Sequence, residues 1–174
     1  VKLLDDLKDL LVQARRGYRE KWNRRVSTGD LLTDRWELAK EYGWGEGTSC
    51  YDNVLVIGDV KIGRNTWIGP NCYLDGSGGL EIGDNCAISA GVQIYSHDTV
   101  KWAITMGGAK YEYAPTKIGS GVYIGPQAVV SKGVTVGDRV VIGAHSLVNR
   151  DVPPDRRAHG CPAVVQPRTG PQDD

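Results

Sequence analysis

Large aliphatic residues recur every sixth position along two long stretches of this chain. From 117 to 153 they are Ile118, Ile124, Val130, Val136, Ile142 and Val148, without a slip in phase. The residue after each is Gly, Gly, Ser, Gly, Gly and Asn, and the residue two before each later member is Val122, Ala128, Val134, Val140 or Ser146. Six fits neither the 3.6-residue period of a helix nor the plain alternation of a half-buried strand. It fits a chain that makes a short strand, turns a corner and repeats, stacking one inward aliphatic per repeat on its counterparts in neighbouring coils. The predicted fold is mainly β, a parallel β-helix of hexapeptide repeats whose core comes from stacking.

An earlier run has the same phase: Val56, Ile62, Ile68, Leu74, then Ile82, Ile88 and Ile94 after a two-residue insertion near Gly76 and Ser77. Thirteen hexads, three per coil, predict about four coils with strands ~4.8 Å apart. Between Ile94 and Ile118 the pattern fails, and a loop extruded from the coil is expected over about 96–116. Before the coil, residues 1 to 26 carry Leu3, Leu7, Leu10, Leu11, Ala14, Tyr18 and Trp22 at helical spacing. Acids gather at the start of this helix and arginines near its end, as the helix dipole favours. Its amphipathic face suits packing on its own domain or a neighbouring subunit better than a membrane surface. Ser27-Thr28-Gly29 is read as its stop, and a second helix is predicted over 34–42, capped by Thr33 and closed by Gly43. The organisation is therefore a helical segment over 1–45, the coil over 46–153, and a segment and tail over 154–174. Past Val152 the chain is expected to leave the coil and to end in a disordered stretch from Gln166.

Composition narrows the function classes. In 174 residues, 21 Lys and Arg balance 21 Asp and Glu, which leaves no electrostatic footprint for nucleic acid. No apolar run is long enough to cross a bilayer, and VKLLDDLKDLL is too acidic for a signal peptide, so the expectation is a cytoplasmic protein without membrane insertion. Four cysteines lack CxxC spacing. Cys72 and Cys86 fall two residues before an inward aliphatic, where a small buried side chain is wanted, so they read as structural thiols.

Only three histidines are present. His97 lies three residues after Ile94, at the mouth of the expected loop. His97 and His145 are 48 residues apart, eight hexads, or four if the loop is extruded; neither number is a multiple of three, so the two do not stack on one face. His159 lies beyond the hexads, and no metal is expected.

The hexads, the loop histidine in SHDTVKW, the return through AP-x-K-IG and the ending VIGAHSLVNRDVPP…GCPA together resemble the maltose/galactoside/xenobiotic acetyltransferases of the hexapeptide, left-handed β-helix superfamily. The similarity extends to LLTDRWELAKEYGWGEGT and is greatest to the sugar O-acetyltransferases of surface-polysaccharide biosynthesis. It implies a left-handed coil, a rare exception to the right-handed crossover rule. It also implies a homotrimer with acetyl-CoA lying between adjacent subunits, and a sugar-type acceptor. His97 then serves as general base in direct transfer from the thioester. Asp98 either orients His97 or caps the loop, and the role of Glu112 is open. The resemblance assigns Asp34 and, loosely, Asn71 to the acceptor, with Asp34 reading equally as an acid in the first turn of its helix; Trp102, Tyr111 and Tyr113 either line the acceptor site or pack within the loop. It assigns Ala144, Asn149, Arg150 and Pro126 to acetyl-CoA, with Arg168 or Arg156 and Arg157 replacing a basic residue that relatives carry after Pro-Ala. The alternatives are N-acetylation of an amino sugar, a non-catalytic trimeric scaffold, and a metal hydratase.

Overall fold

The structure is a computed structural model and describes residues 2–168. Its body is a parallel β-solenoid of about six turns, the architecture of a left-handed hexapeptide β-helix, with a few helices. Three faces wind up the coil. The first stacks Cys50, Ile68, Ile88, Ile124, Ile142 and Ala158 in parallel register. The second stacks Val56, Leu74, Ile94, Val130 and Val148. The third stacks Ile62, Ile82, Ile118 and Val136, with Val152 bridged to Val136 above. Nearly all of these side chains are buried; Ile68, Leu74, Ile88, Ile94, Ile124 and Ile142 have no exposed surface. Each contributes roughly 1.5–3 kcal/mol by leaving water. The coil is thus longer than the four turns its hexads predict. The reason lies in the pattern: at both ends of the first face the inward residue is small, Cys50 and Ala158, and Val152 comes four residues after Val148, so a six-residue period of large aliphatics registers none of the three.

The corners explain the rest of the repeat. The third residue after an inward aliphatic takes a left-handed conformation, as at Asn65, Asn71, Asn85, Gln127, Arg139 and His145. Gly125 stands where a side-chain carbon would come within 2.5 Å of the Ala144 backbone nitrogen in the next turn. Cys72 and Cys86 are buried, and each Sγ donates to a backbone carbonyl at 3.1 Å, of Ser89 and Gly119 respectively. Burial pushes the Cys72 thiol up to about 11.

The N-terminal segment holds three helices: α1 (Lys2–Trp22), α2 (Thr28–Leu32) and α3 (Arg35–Glu41). The stop expected at Ser27 is instead the N-cap of α2, its Oγ accepting from the Asp30 backbone N–H at 3.2 Å. Asp34, not Thr33, caps α3: its Oδ1 accepts from the backbone N–H of Trp36 at 2.9 Å and of Glu37 at 3.2 Å. A carboxylate there satisfies two free N–H groups and meets the helix dipole, and it outcompetes the neighbouring hydroxyl. At the other end the chain does not leave the coil after Val152. Arg156–His159 pairs parallel with Val141–Ile142, then antiparallel with Val164–Pro167. Gln166 and Pro167 are therefore paired rather than disordered, and the rest of the expected tail, 169–174, lies outside the described residues.

Candidate functional site

After Ile94 the chain leaves the solenoid along the edge between its second and third faces. The coil directly beneath supplies the floor, because Leu74 pairs with Ile94. The residue after Leu74 is Asp75, at a slot held by glycine or serine in most other hexads. Asp75 has no exposed surface. Its Oδ1 accepts from the Ser77 N–H at 2.9 Å, and its Oδ2 accepts from the N–H groups of Ser96 at 2.9 Å and His97 at 3.1 Å. Oδ2 also lies 2.5 Å from His97 Nδ1. Burial alone would raise the carboxyl, but the hydrogen bonds from Ser77, Ser96 and His97 outweigh it and hold Asp75 down at about 2. An ionised acceptor at Nδ1 assigns the ring proton to that nitrogen and leaves the Nε2 lone pair free.

The two-residue insertion in the hexads makes this arrangement possible. It lengthens one turn around Gly76, Ser77 and Gly78, so that the Gly78 N–H donates to Ser96 Oγ at 2.7 Å. A side-chain carbon on Gly78 would run into the Ser96 carbonyl oxygen. The exit point of the loop is thereby clamped from below.

Residues 97–113 form the extruded loop. His97–Asp98 runs antiparallel to Glu112–Tyr113, and between them lies a short helix, α4 (Val100–Ile104), that the sequence pattern does not reveal. The His97 and Tyr113 rings stack at 5.9 Å. Lys132, from the next turn of the coil, ties the base of the loop: Nζ lies 3.2 Å from Asp98 Oδ2 and 3.4 Å from Glu112 Oε2, and Lys101 lies 2.5 Å from Glu112 Oε1. The Val100 backbone N–H and Lys132 lower the Asp98 carboxyl, and Lys101 lowers that of Glu112. Asp98 therefore caps and pins the loop, while Asp75 orients the histidine. The imidazole, 24% exposed, opens onto a cleft of about 410 Å³ walled by Tyr73, Tyr95, Thr99, Val100, Ser131 and Lys132.

The other candidates spread over the molecule. Asn149 and Arg150 are exposed on the same edge as His97, one turn above Ser131 and Lys132. Pro126 and Ala144 share the edge between the first and second faces, where the His145 N–H donates to the Pro126 carbonyl at 2.9 Å. Asn71 lies lower on that edge, exchanging hydrogen bonds with Asn53 at 2.9 and 3.1 Å. Arg168 is on the third edge, donating to the Arg139 carbonyl at 3.2 Å beside the Arg139–Asp155 pair. Asp34 is engaged as a helix cap, and Trp102 packs edge-on against Tyr111 at 5.7 Å in the loop. Within one protomer Asn149 and Arg150 share the edge of His97, two turns higher, Trp102 shares its loop, and Asn71, Pro126, Ala144 and Arg168 lie on other edges. His145 and His159 are exposed elsewhere, and no group of three metal-ligating side chains occurs among the described residues.

Residues 115–150 match the family model of the bacterial transferase hexapeptide (six repeats), and 59–96 match the hexapeptide repeat of succinyl-transferase. The chain is 36% identical over 108 residues to the galactoside O-acetyltransferase of Escherichia coli K12, a match covering 62% of this chain and 53% of that protein. It spans little more than half the length of the curated relatives it matches. A maltose O-acetyltransferase from Clostridium difficile 630 superposes with a TM-score of 0.57 at 26% identity, over 96% of this chain and 88% of that one. A hexapeptide-repeat acetyltransferase of Vibrio cholerae, in complex with acetyl-CoA, superposes with a TM-score of 0.55 at 25% identity, over 90% and 86% of the two chains.

Proposed function

We propose that the chain is a hexapeptide-repeat transferase of the group that includes the galactoside and maltose O-acetyltransferases, and that it transfers an acetyl group from acetyl-CoA to a sugar hydroxyl. The observation that carries the reading is the buried Asp75 carboxylate on His97 Nδ1, beside a cleft one turn of coil below Asn149 and Arg150.

The chemistry follows from that contact. His97 Nε2 takes the proton of an acceptor hydroxyl as its oxygen attacks the thioester carbonyl. The imidazolium so formed is stabilised by ionised Asp75 at Nδ1. When the tetrahedral adduct collapses and the carbon–sulfur bond breaks, His97 returns the proton to the departing thiolate. A thioester is activated enough that no covalent enzyme intermediate is needed, and a well-placed base of this kind is worth about 10²–10⁴ in rate.

The acceptor is a sugar or nucleotide-sugar precursor of a glycan, acting in polysaccharide biosynthesis. Asn149 and Arg150 serve the acetyl-CoA side on the His97 edge. Asn71, Pro126 and Ala144, on another edge, reach the site from a neighbouring copy in a homotrimer. The exposed loop residues Ile104 and Met106, 75% and 97% exposed, support such a packing.

Incubation with acetyl-CoA and a panel of sugars and amino sugars, followed by mass spectrometry before and after mild alkali, tests this. The expected product gains one acetyl group on a sugar and loses it in alkali, as an ester does. An alkali-stable product formed on amino sugars alone is an amide and would overturn the assignment to a hydroxyl.

A further inference from the structure

The cleft beside His97 has aromatic walls that the proton transfer does not use. Tyr73 and Tyr95 line it, both half-buried, the first on the turn beneath His97 and the second two residues before it. Tyr95 occupies the position after an inward aliphatic, which glycine or serine holds in most hexads. The two rings lie 5.1 Å apart at a tilt of 35°. The Tyr95 hydroxyl donates to Gln93 Oε1 at 2.7 Å, and Gln93 is the register partner of Tyr73 on the strand beneath. Rings at that distance touch, so they present one continuous apolar surface with no slot between them. The hydrogen bond fixes that surface before anything binds.

The polar groups of the cleft are of one kind. Thr99 and Ser131 line it as well, and among the described residues neither hydroxyl has a protein partner. Its charged side chains are matched to each other, with Lys132 Nζ 3.2 Å from Asp98 Oδ2 and 3.4 Å from Glu112 Oε2. Asp75 beneath is buried and held ionised, so its charge repels an anion. A carboxylate or phosphate entering the cleft would lose water and meet no free cation of this chain. A neutral sugar ring has the complementary surface, C–H groups for the negative faces of the tyrosines and hydroxyls around its rim.

We propose that Tyr73 and Tyr95 are the platform on which the acceptor lies, that Thr99 and Ser131 read its hydroxyls, and that the ring so held is a neutral sugar rather than a uronic acid or a sugar phosphate. This rests on the transfer to a sugar hydroxyl proposed above. The turns of the coil assign the sides. Asn149 and Arg150, given there to acetyl-CoA, stand two turns above His97 on its edge, and Tyr73 stands one turn below. The thioester reaches the histidine from above and the acceptor meets it from beneath.

The test is steady-state kinetics of acetyl transfer to the methyl glycosides of glucose, galactose and mannose and to those of their uronic acids. Wild type, Tyr73→Ala, Tyr73→Phe and Ser131→Ala are compared. The wild type is expected to favour the neutral glycosides on the order of a hundredfold in kcat/KM. Tyr73→Ala raises the acceptor KM on the order of tenfold and leaves the acetyl-CoA KM in place. Tyr73→Phe, which keeps the ring, restores most of that affinity, and Ser131→Ala raises the acceptor KM severalfold. A preference for the uronic acids would overturn the proposal while the transfer reading stands. So would a Tyr73→Ala effect confined to the acetyl-CoA KM, which puts the thioester arm on the rings, or no change in either KM. Tyr73→Phe as poor as Tyr73→Ala would remove the ring platform as the cause. A wild type that acetylates none of these sugars overturns the transfer reading and this one with it.

Discussion

At the scale of single residues, the account turns on Asp75. A carboxylate with no exposed surface must be fully partnered, and both its oxygens are taken by backbone N–H groups and by His97. Its folded pKa of about 2 lies below the ordinary Asp value of about 3.9. The sign follows: Asp75 stabilises the fold above about pH 4, and the contribution is lost as pH falls toward about 2. In Asp75→Asn the fall in unfolding free energy between those values, measured by denaturant titration, should flatten by about 2 kcal/mol. A variant whose acid limb matches the wild type would show that the carboxylate is not held ionised. His97 was legible in the sequence because it stands at the mouth of the one long break. Asp75 was not, since its partner is a full turn of coil away and adjacency favours Asp98. The available signal was an acid just after Leu74 and next to a broken hexad.

At the scale of elements, the hexads named the inward residues of all three faces and placed the loop, because each repeat must bury one large aliphatic. They under-counted the turns where Cys50 and Ala158 take that position. Helices α2 and α4 have five residues each, too short for a helical period to show. The loop is held to the coil by Lys132, which pairs with a carboxylate on each strand of its base. Lys132→Gln should speed amide hydrogen exchange across 97–113 by roughly fivefold, the range expected for partly exposed ion pairs, while coil amides keep their protection. Unchanged exchange in the loop would mean that the strand pairing of His97–Asp98 with Glu112–Tyr113 suffices alone.

At the scale of the whole molecule, the residues expected at the reaction divide among three edges of a rigid coil. A three-sided solenoid cannot bend to bring Asn71 and Ala144 to His97, so under the proposed function they reach it from a neighbouring copy. Linear reading gives the edge on which each corner falls, but not which edge of one copy meets which face of the next. The central claim is narrower and needs only one edge: His97, held by Asp75, is the base for acetyl transfer. Acceptor-dependent thiol release from acetyl-CoA, measured for the wild type, His97→Ala and Asp75→Asn, tests it most directly. The account predicts a fall in kcat of about 10²–10⁴ for His97→Ala and a smaller fall for Asp75→Asn. Release from His97→Ala at the wild-type rate would contradict it.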